Sequence, residues 1–266
     1  MVSQQEITAW RPPVHGISEV LHAHFVEHAY PVHTHDTWTL LIVDDGSVRF
    51  DLDQHEHGAL RSQVTLLPPH VPHDGRAATP TGFRKRVLYL DESVLDSSLV
   101  GAAVDHPGMR DAALRGRIDQ LHSALALPGD ELEAQSRLTL IVDRLRRHLR
   151  GGPSAPSLPD RSLARQLRDL LDARVREGMS LDEAAGLLHA HPTHLVRAFT
   201  GEFAIPPHLY LTGRRVDLAR HLLLSGMRPA EVASAAGFYD QSHLTRHFRR
   251  MLGTSPARYS RGRYRL

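Results

Sequence analysis

The chain contains no cysteine, which excludes disulfides, thiolate metal sites and a cysteine nucleophile, and fits a reducing compartment. Nowhere in its 266 residues does an apolar run reach the roughly 18 residues that a membrane span needs. The opening stretch, MVSQQEITAWRPP, has no basic region followed by an apolar one, so no secretory leader is expected. These absences predict a cytoplasmic protein with no membrane partner. The length predicts two domains, each able to bury its own core.

The formal charge of +2 is nearly balanced, but it is segregated along the chain. A run rich in Pro, Gly and Ser, GGPSAPSLPD, occupies Gly151 to Asp160. From Asp160 onward 17 Arg stand against 10 Asp and Glu, a net of +7, whereas residues 1–159 carry 15 basic and 20 acidic residues, a net of −5. The expected organisation is therefore a first domain over residues 1–150, a linker over 151–160 and a basic second domain over 161–266. A basic half points to a polyanionic partner, and an acidic half to a different task.

The basic half contains a repeat. Shifted by 49 residues, His194 meets His243, Leu195 meets Leu244, Arg197 meets Arg246, Phe199 meets Phe248, Pro207 meets Pro256 and Tyr210 meets Tyr259. Upstream, LDEAAGLLHA from Leu181 meets AEVASAAGFY from Ala230. Each copy predicts a short helix, a turn and a second helix. Ser180 with Glu183 forms a capping box, and Pro229 is pre-set for a first helical position. Gly237 supplies a left-handed end. His191 before Pro192, and Asp240 before Gln241, open the second helices.

On those second helices Leu195 and Phe199, like Leu244 and Phe248, lie four apart and face inward. The opposite face carries Thr193, Val196, Arg197 and Thr200 in the first copy, and Gln241, Ser242, Thr245, Arg246 and Arg249 in the second. Two helices joined by a tight turn, the second short, basic and exposed, form a helix-turn-helix arrangement whose second helix enters the major groove of double-stranded DNA. Arginine can bind guanine bidentately there, and Ser, Thr and Gln add adaptable hydrogen bonds. Between the copies, apolar residues from Leu211 to Leu223 predict a helix of about 18 residues, about 27 Å long, closed by Gly226.

The segment from about Ser162 to Tyr259, and above all RRVDLARHLLLSGMRPAEVASAAGFYDQSHLTRHFRRMLGTSPARY, resembles the DNA-binding domain of AraC/XylS-type transcription regulators. The resemblance implies a seven-helix domain with two helix-turn-helix units. The first unit departs from the pattern at Ala204, where the second has Gly253. His194 and His243 hold matching positions, and a packed or helix-capping histidine explains them better than base contact.

In the acidic half, residues 17–90 alternate short apolar runs with turn residues, which predicts a small β-barrel or sandwich. From Val94 to Arg150 the pattern becomes helical, so the whole is an α+β protein of two domains. Leu132, Leu138, Ile141, Leu145 and Leu149 make an apolar stripe, which packs on its own domain or pairs two subunits into a homodimer. Ten of the 20 histidines fall between His15 and His73. The runs PVHTHDTWTLLIVDDG and LLPPHVPH resemble cupin motifs, with Gly46 and Pro68 on their expected positions. Thr39 replaces the cupin glutamate, His70 the second-motif glycine and Ala77 its terminal asparagine.

The resemblance places His33, His35, Thr39, His70 and His73 at a pocket inside a cupin-like barrel. Three imidazoles can hold a divalent metal with an open position, can bind a small-molecule effector without metal, which is how sensory barrels of this regulator type usually work, or can serve structure alone. Trp38 faces away from His35 and belongs to the core. Two functions follow: a DNA-binding regulator controlled by an effector, with no catalytic residue and no obligatory cofactor, or a metal-dependent cupin dioxygenase or isomerase carrying a DNA-binding tail.

Overall fold

The computed structural model describes residues 6–26, 29–151 and 160–261, so all but the two ends of the expected linker lies outside the described residues. The chain gathers into two compact units. One comprises the chain up to Ser123 and again from Leu140; the other comprises Ala124–Thr139 and the C-terminal part. The sequence puts its boundary at residue 150, and the difference lies in residues 124–139, whose side chains bond to the C-terminal helices.

The first unit is built on strands β1 (Glu6–Trp10), β2 (Ile17–Phe25), β3 (Ala29–His33), β4 (Trp38–Gly46), β5 (Val48–Leu52), β6 (His55–Ala59), β7 (Val64–Leu67), β8 (His73–Ala77), β9 (Phe83–Leu90) and β10 (Gly108–Met109). They form a sheet in the order β1-β2-β9-β4-β7-β10 and a second in the order β3-β8-β5-β6. Phe25, Leu41, Val43, Phe83 and Val87 of the first pack against Val48, Phe50, Leu52 and Ala59 of the second. This is the expected cupin-like barrel.

Helices α1 (Val100–Asp105), α2 (Ala112–Leu125) and α3 (Glu131–Arg150) follow the strands. Trp38 to Val43 are buried at six consecutive positions, because β4 is covered on both faces and so loses the alternation of a half-exposed strand. Ionic contacts fasten α2 to the outer face. Arg86 on β9 donates to both oxygens of Asp44 at 2.7 and 2.8 Å and to Asp119 of α2 at 2.7 Å, and Arg115 donates to the Val43 carbonyl at 3.0 Å. His122 lies 3.2 Å from His22 on β2.

Of the apolar stripe on α3, Leu138, Ile141 and Leu145 are buried within the chain, while Leu132 and Leu149 at its two ends are half-buried.

The second unit contains α4 (Arg161–Ala173), α5 (Leu181–Leu187), α6 (Pro192–Phe203), α7 (Pro207–Leu224), α8 (Pro229–Ala235), α9 (Gln241–Leu252) and α10 (Pro256–Arg261), the seven helices that the resemblance implies. The caps are those of the sequence: Ser180 Oγ accepts from Glu183 N at 3.0 Å, His191 Nδ1 from Thr193 N at 3.2 Å and Asp240 Oδ1 from His243 N at 2.6 Å. Gly237 takes φ +82° with the Arg176 carbonyl where a Cβ would stand. Leu244 and Phe248 join Val216, Ala219, Val232 and Phe238 in one core.

The C-terminal residues of α6 and α9 show what separates the two copies. Ala204 is left-handed at φ +59° and Gly253 at φ +68°; a Cβ in that conformation costs on the order of 1 kcal/mol. Ala204→Gly is therefore expected to stabilise the second unit by about 1 kcal/mol, and Gly253→Ala to destabilise it by a similar amount, read by urea unfolding followed by circular dichroism.

His122 generates a pH dependence. Burial, then Arg86 and His22, lower its pKa to about 3 from the usual 6.5. Between those values the unfolded chain binds more protons than the folded one, so stability falls as pH drops from about 6.5 toward 3. The two tryptophans, Trp10 and Trp38, both lie in the first unit, so their fluorescence follows its urea unfolding; His122→Leu is expected to flatten the slope between pH 6.5 and 4.5.

Candidate functional site

Within the barrel the chain brings His33, His35 and His73 together although they are up to 40 positions apart. Their ring centroids lie 4.8, 4.6 and 5.1 Å apart. His33 is the last residue of β3 and His35 lies two residues on, in the loop before β4. His33 Nδ1–H donates to the Pro31 carbonyl at 2.7 Å and His73 Nδ1–H to that of Val71 at 3.0 Å. That tautomer leaves each Nε2 with a free lone pair. The rings line a cavity of about 40 Å³ with Thr39, Tyr30, Lys85 and Tyr89, and the buried Thr39 hydroxyl has no partner.

Burial first, then the neighbouring rings and Lys85, lower His35 to about 4, and burial likewise lowers His73. His35 and His73 therefore stay neutral further into acid than an ordinary imidazole. His70 is corrected. It adopts φ +61°, keeping the backbone of the glycine it replaces, and its exposed ring points to Asp36 and Glu92 at 3.6 Å each, away from the cavity.

Lys85 is the one lysine in the sequence, and sequence reasoning passed over it. Strand parity sends Lys85 and Arg86 to opposite faces of β9. Outside, Arg86 meets two carboxylates; inside, the Lys85 ammonium lies 4.3 Å from the centre of the Tyr30 ring. Burial lowers its pKa to about 8, and among the described residues no acidic group offsets it. The three imidazoles, whose ligand atoms fall within 4.8 Å of one another, form a metal-competent donor set, but an ammonium in the same cavity opposes a second cation.

On α6, Thr193 and Arg197 are half-exposed. Thr200 Oγ1 donates back to the Val196 carbonyl at 2.7 Å. Val196 is corrected: its exposure is 0%, and as an aliphatic residue next to Leu195 it widens the apolar face rather than joining the polar one. On α9, Gln241, Ser242 and Arg249 are exposed and Thr245 is half-exposed. His243 is buried and capping, as its position suggests: its Nδ1 accepts from Tyr239 N at 3.1 Å. Arg246 donates to Asp130 at 2.6 Å. Asp130 itself escaped sequence reasoning, since an aspartate ahead of ELEAQ reads as an ordinary helix start.

A barrel with a lined cavity and a helical unit with paired helix-turn-helix elements define a ligand-responsive transcription regulator. Residues 15–142 match the AraC-like ligand binding domain and residues 184–262 a helix-turn-helix domain. The transcriptional activator NphR from a Rhodococcus species is 30% identical over 255 residues, covering 86% of this chain and 71% of that one; the helix-turn-helix regulator YbfI of Bacillus subtilis is 24% identical over 224 residues, covering 81% of each. The crystal structure of ToxT from Vibrio cholerae is 11% identical with a TM-score of 0.34, covering 97% of this chain and 96% of that one. That of the AraC-like activator CuxR is 15% identical with a TM-score of 0.44, covering 87% and 83%. The chain belongs to the AraC family of transcriptional regulators. It is a regulator and not an enzyme, and the alternative of a cupin dioxygenase or isomerase falls.

Proposed function

We propose that this regulator reads its operator through Thr193 and Arg197 on α6 and through Gln241, Ser242, Thr245, Arg246 and Arg249 on α9. The observation that carries the reading is the pair of matching helices at either end of α7, an 18-residue helix. At about 1.5 Å per residue it is about 27 Å long, which suits successive major grooves about 34 Å apart. Such a regulator works in the cytoplasm, beside the chromosome. Arg197→Ala and Arg246→Ala are each expected to lower operator affinity by about 1 to 3 kcal/mol and to relax base preference locally. A gel-shift titration in which neither substitution changes affinity or preference would refute the assignment.

The effector site is the barrel cavity, and its chemistry favours a metal-free ligand that is both an acid and a hydrogen-bond donor. Lys85 supplies a positive charge that no carboxylate among the described residues pairs with, Asp74 at the cavity being taken up by Arg76 and the Asp51 amide, and the Nε2 atoms of His33 and His73 accept hydrogen bonds. A cavity of about 40 Å³ holds little more than a water molecule or two, so the ligand enters as the barrel widens. Since the chain has one lysine, ¹³C-dimethylation labels that side chain and the terminal amine alone. Small carboxylic acids are expected to shift the Lys85 resonance while their amides do not. Lys85→Met and the double substitution His33→Ala, His73→Ala are expected to abolish effector-dependent reporter output. Equal shifts from acids and amides would overturn the acidic class, and a full response in the double variant would overturn the site.

A further inference from the structure

Asp130 stands in the loop ahead of α3 with its side chain 10% exposed, and three side chains of α9 converge on it. Arg246 Nη2 donates to Oδ2 at 2.6 Å, and Nε2 of His243 and of His247 lie 3.1 and 3.0 Å from Oδ1. Burial alone would raise this carboxyl; the bonds from His243 and His247, with the charge of Arg246 beyond them, outweigh it and hold the group well below the usual carboxylate range. The preceding residue rests on the same helix. Gly129, at φ +92°, lies so close that a Cβ there would strike the His243 ring and come within 2.8 Å of Tyr239 Cβ. Further along the same segment, Gln135 Oε1 accepts from Leu181 N, the first residue of α5, at 2.7 Å. The segment Ala124–Thr139 thus holds both helix-turn-helix elements of its own unit.

We propose that this segment is an autoinhibitory strap, in which Asp130 occupies the guanidinium of Arg246 and the Gly129 backbone covers the first turn of α9, so that the second helix-turn-helix element cannot enter a major groove until the strap leaves. The inference rests on the assignment of Arg246 as a base-reading residue. An ion-paired arginine must break that pair before it can bind a guanine, and a backbone against the first turn of α9 stands where the edge of the groove would come. The strap continues without interruption into the part of α3 that belongs to the first unit, so an effector-driven shift of that helix can pull it.

Asp130, His243 and His247 could also serve as a donor set for a divalent cation. The proton positions argue otherwise. The Tyr239 amide donates to His243 Nδ1, so the neutral ring carries its hydrogen on Nε2, the atom that faces the carboxylate and that a metal would need bare. The positive charge is already present in Arg246, whose Nη2 lies 3.4 Å from His247 Nε2.

The test compares the full-length chain with Asp130→Asn, Gly129→Ala and Arg246→Ala in titrations of operator and of scrambled DNA without effector. Asp130→Asn and Gly129→Ala are expected to raise operator affinity about fivefold or more, the low end of ordinary coupling between sites. The gain should exceed any gain on scrambled DNA, which reports the added charge alone. Arg246→Ala is expected to weaken operator binding and, combined with Asp130→Asn, to remove most of the gain. If Arg246→Ala weakens binding while neither strap variant raises it, the strap is overturned and the base-reading assignment stands. If Arg246→Ala changes nothing, the assignment fails and the strap with it. Zinc binding by the wild-type chain at micromolar concentration that Asp130→Asn abolishes would identify the cluster as a metal site and overturn the strap.

Discussion

Everything the second unit does depends on the burial of two pairs of side chains. Leu195 with Phe199, and Leu244 with Phe248, have no exposed surface, and each burial contributes on the order of 2 kcal/mol. Because the members of a pair are four residues apart, they fix the rotation of α6 and α9 about their axes. The direction of every other side chain then follows from the helical period. Arg197 and Arg246 occupy the same phase in the two copies, so whatever one presents outward the other presents too. The polar face is a consequence of the apolar one. Val196 shows the limit of that inference, since an aliphatic residue beside the stripe joins the core and narrows the polar face of α6.

The first unit rests on a comparable division, made by a strand. Lys85 and Arg86 are neighbours, and the pleat of β9 separates them. Arg86 ties three elements together through Asp44 and Asp119, so its charge is fully used in holding α2 against the sheet. Lys85 enters the barrel, finds aromatic rings and imidazoles, and is left with a lowered pKa. Among the described residues no carboxylate pairs with it, and a protein that uses arginine at its other basic positions has placed its single lysine there.

Much of this was legible in the sequence because it is local. The repeat offset, the caps at Ser180, His191 and Asp240, the glycine at Gly237 and the length of α7 are all decided by residues within a few positions of one another. The approach of His33, His35 and His73 was legible through the family pattern, which carries long-range information that periodicity lacks. What was not legible depends on contacts between distant segments. Asp130 and Arg246 are 116 positions apart, and nothing near either names the other. The stripe on α3 could be read as apolar, but which surface covers it is a property of the folded chain. His70 was misplaced for a subtler reason, since it keeps the left-handed backbone of the glycine it replaces but none of that residue's proximity to a pocket.

These elements meet in α3. A helix of 20 residues spans about 30 Å and bends little without proline or glycine; its sequence ELEAQSRLTLIVDRLRRHLR contains neither. One part of it is anchored in the first unit, where Arg144 and His148 both bond to Asp111. The other part belongs to the second unit, where Gln135 bonds to the start of α5, and the adjoining Asp130 to α9. A helix without proline or glycine, held near both ends by charged and polar contacts, has little freedom to bend along its length. Among the described residues, α3 is a continuous helix whose residues belong to both units, so the contacts of Asp111 and those of α5 act on one and the same element.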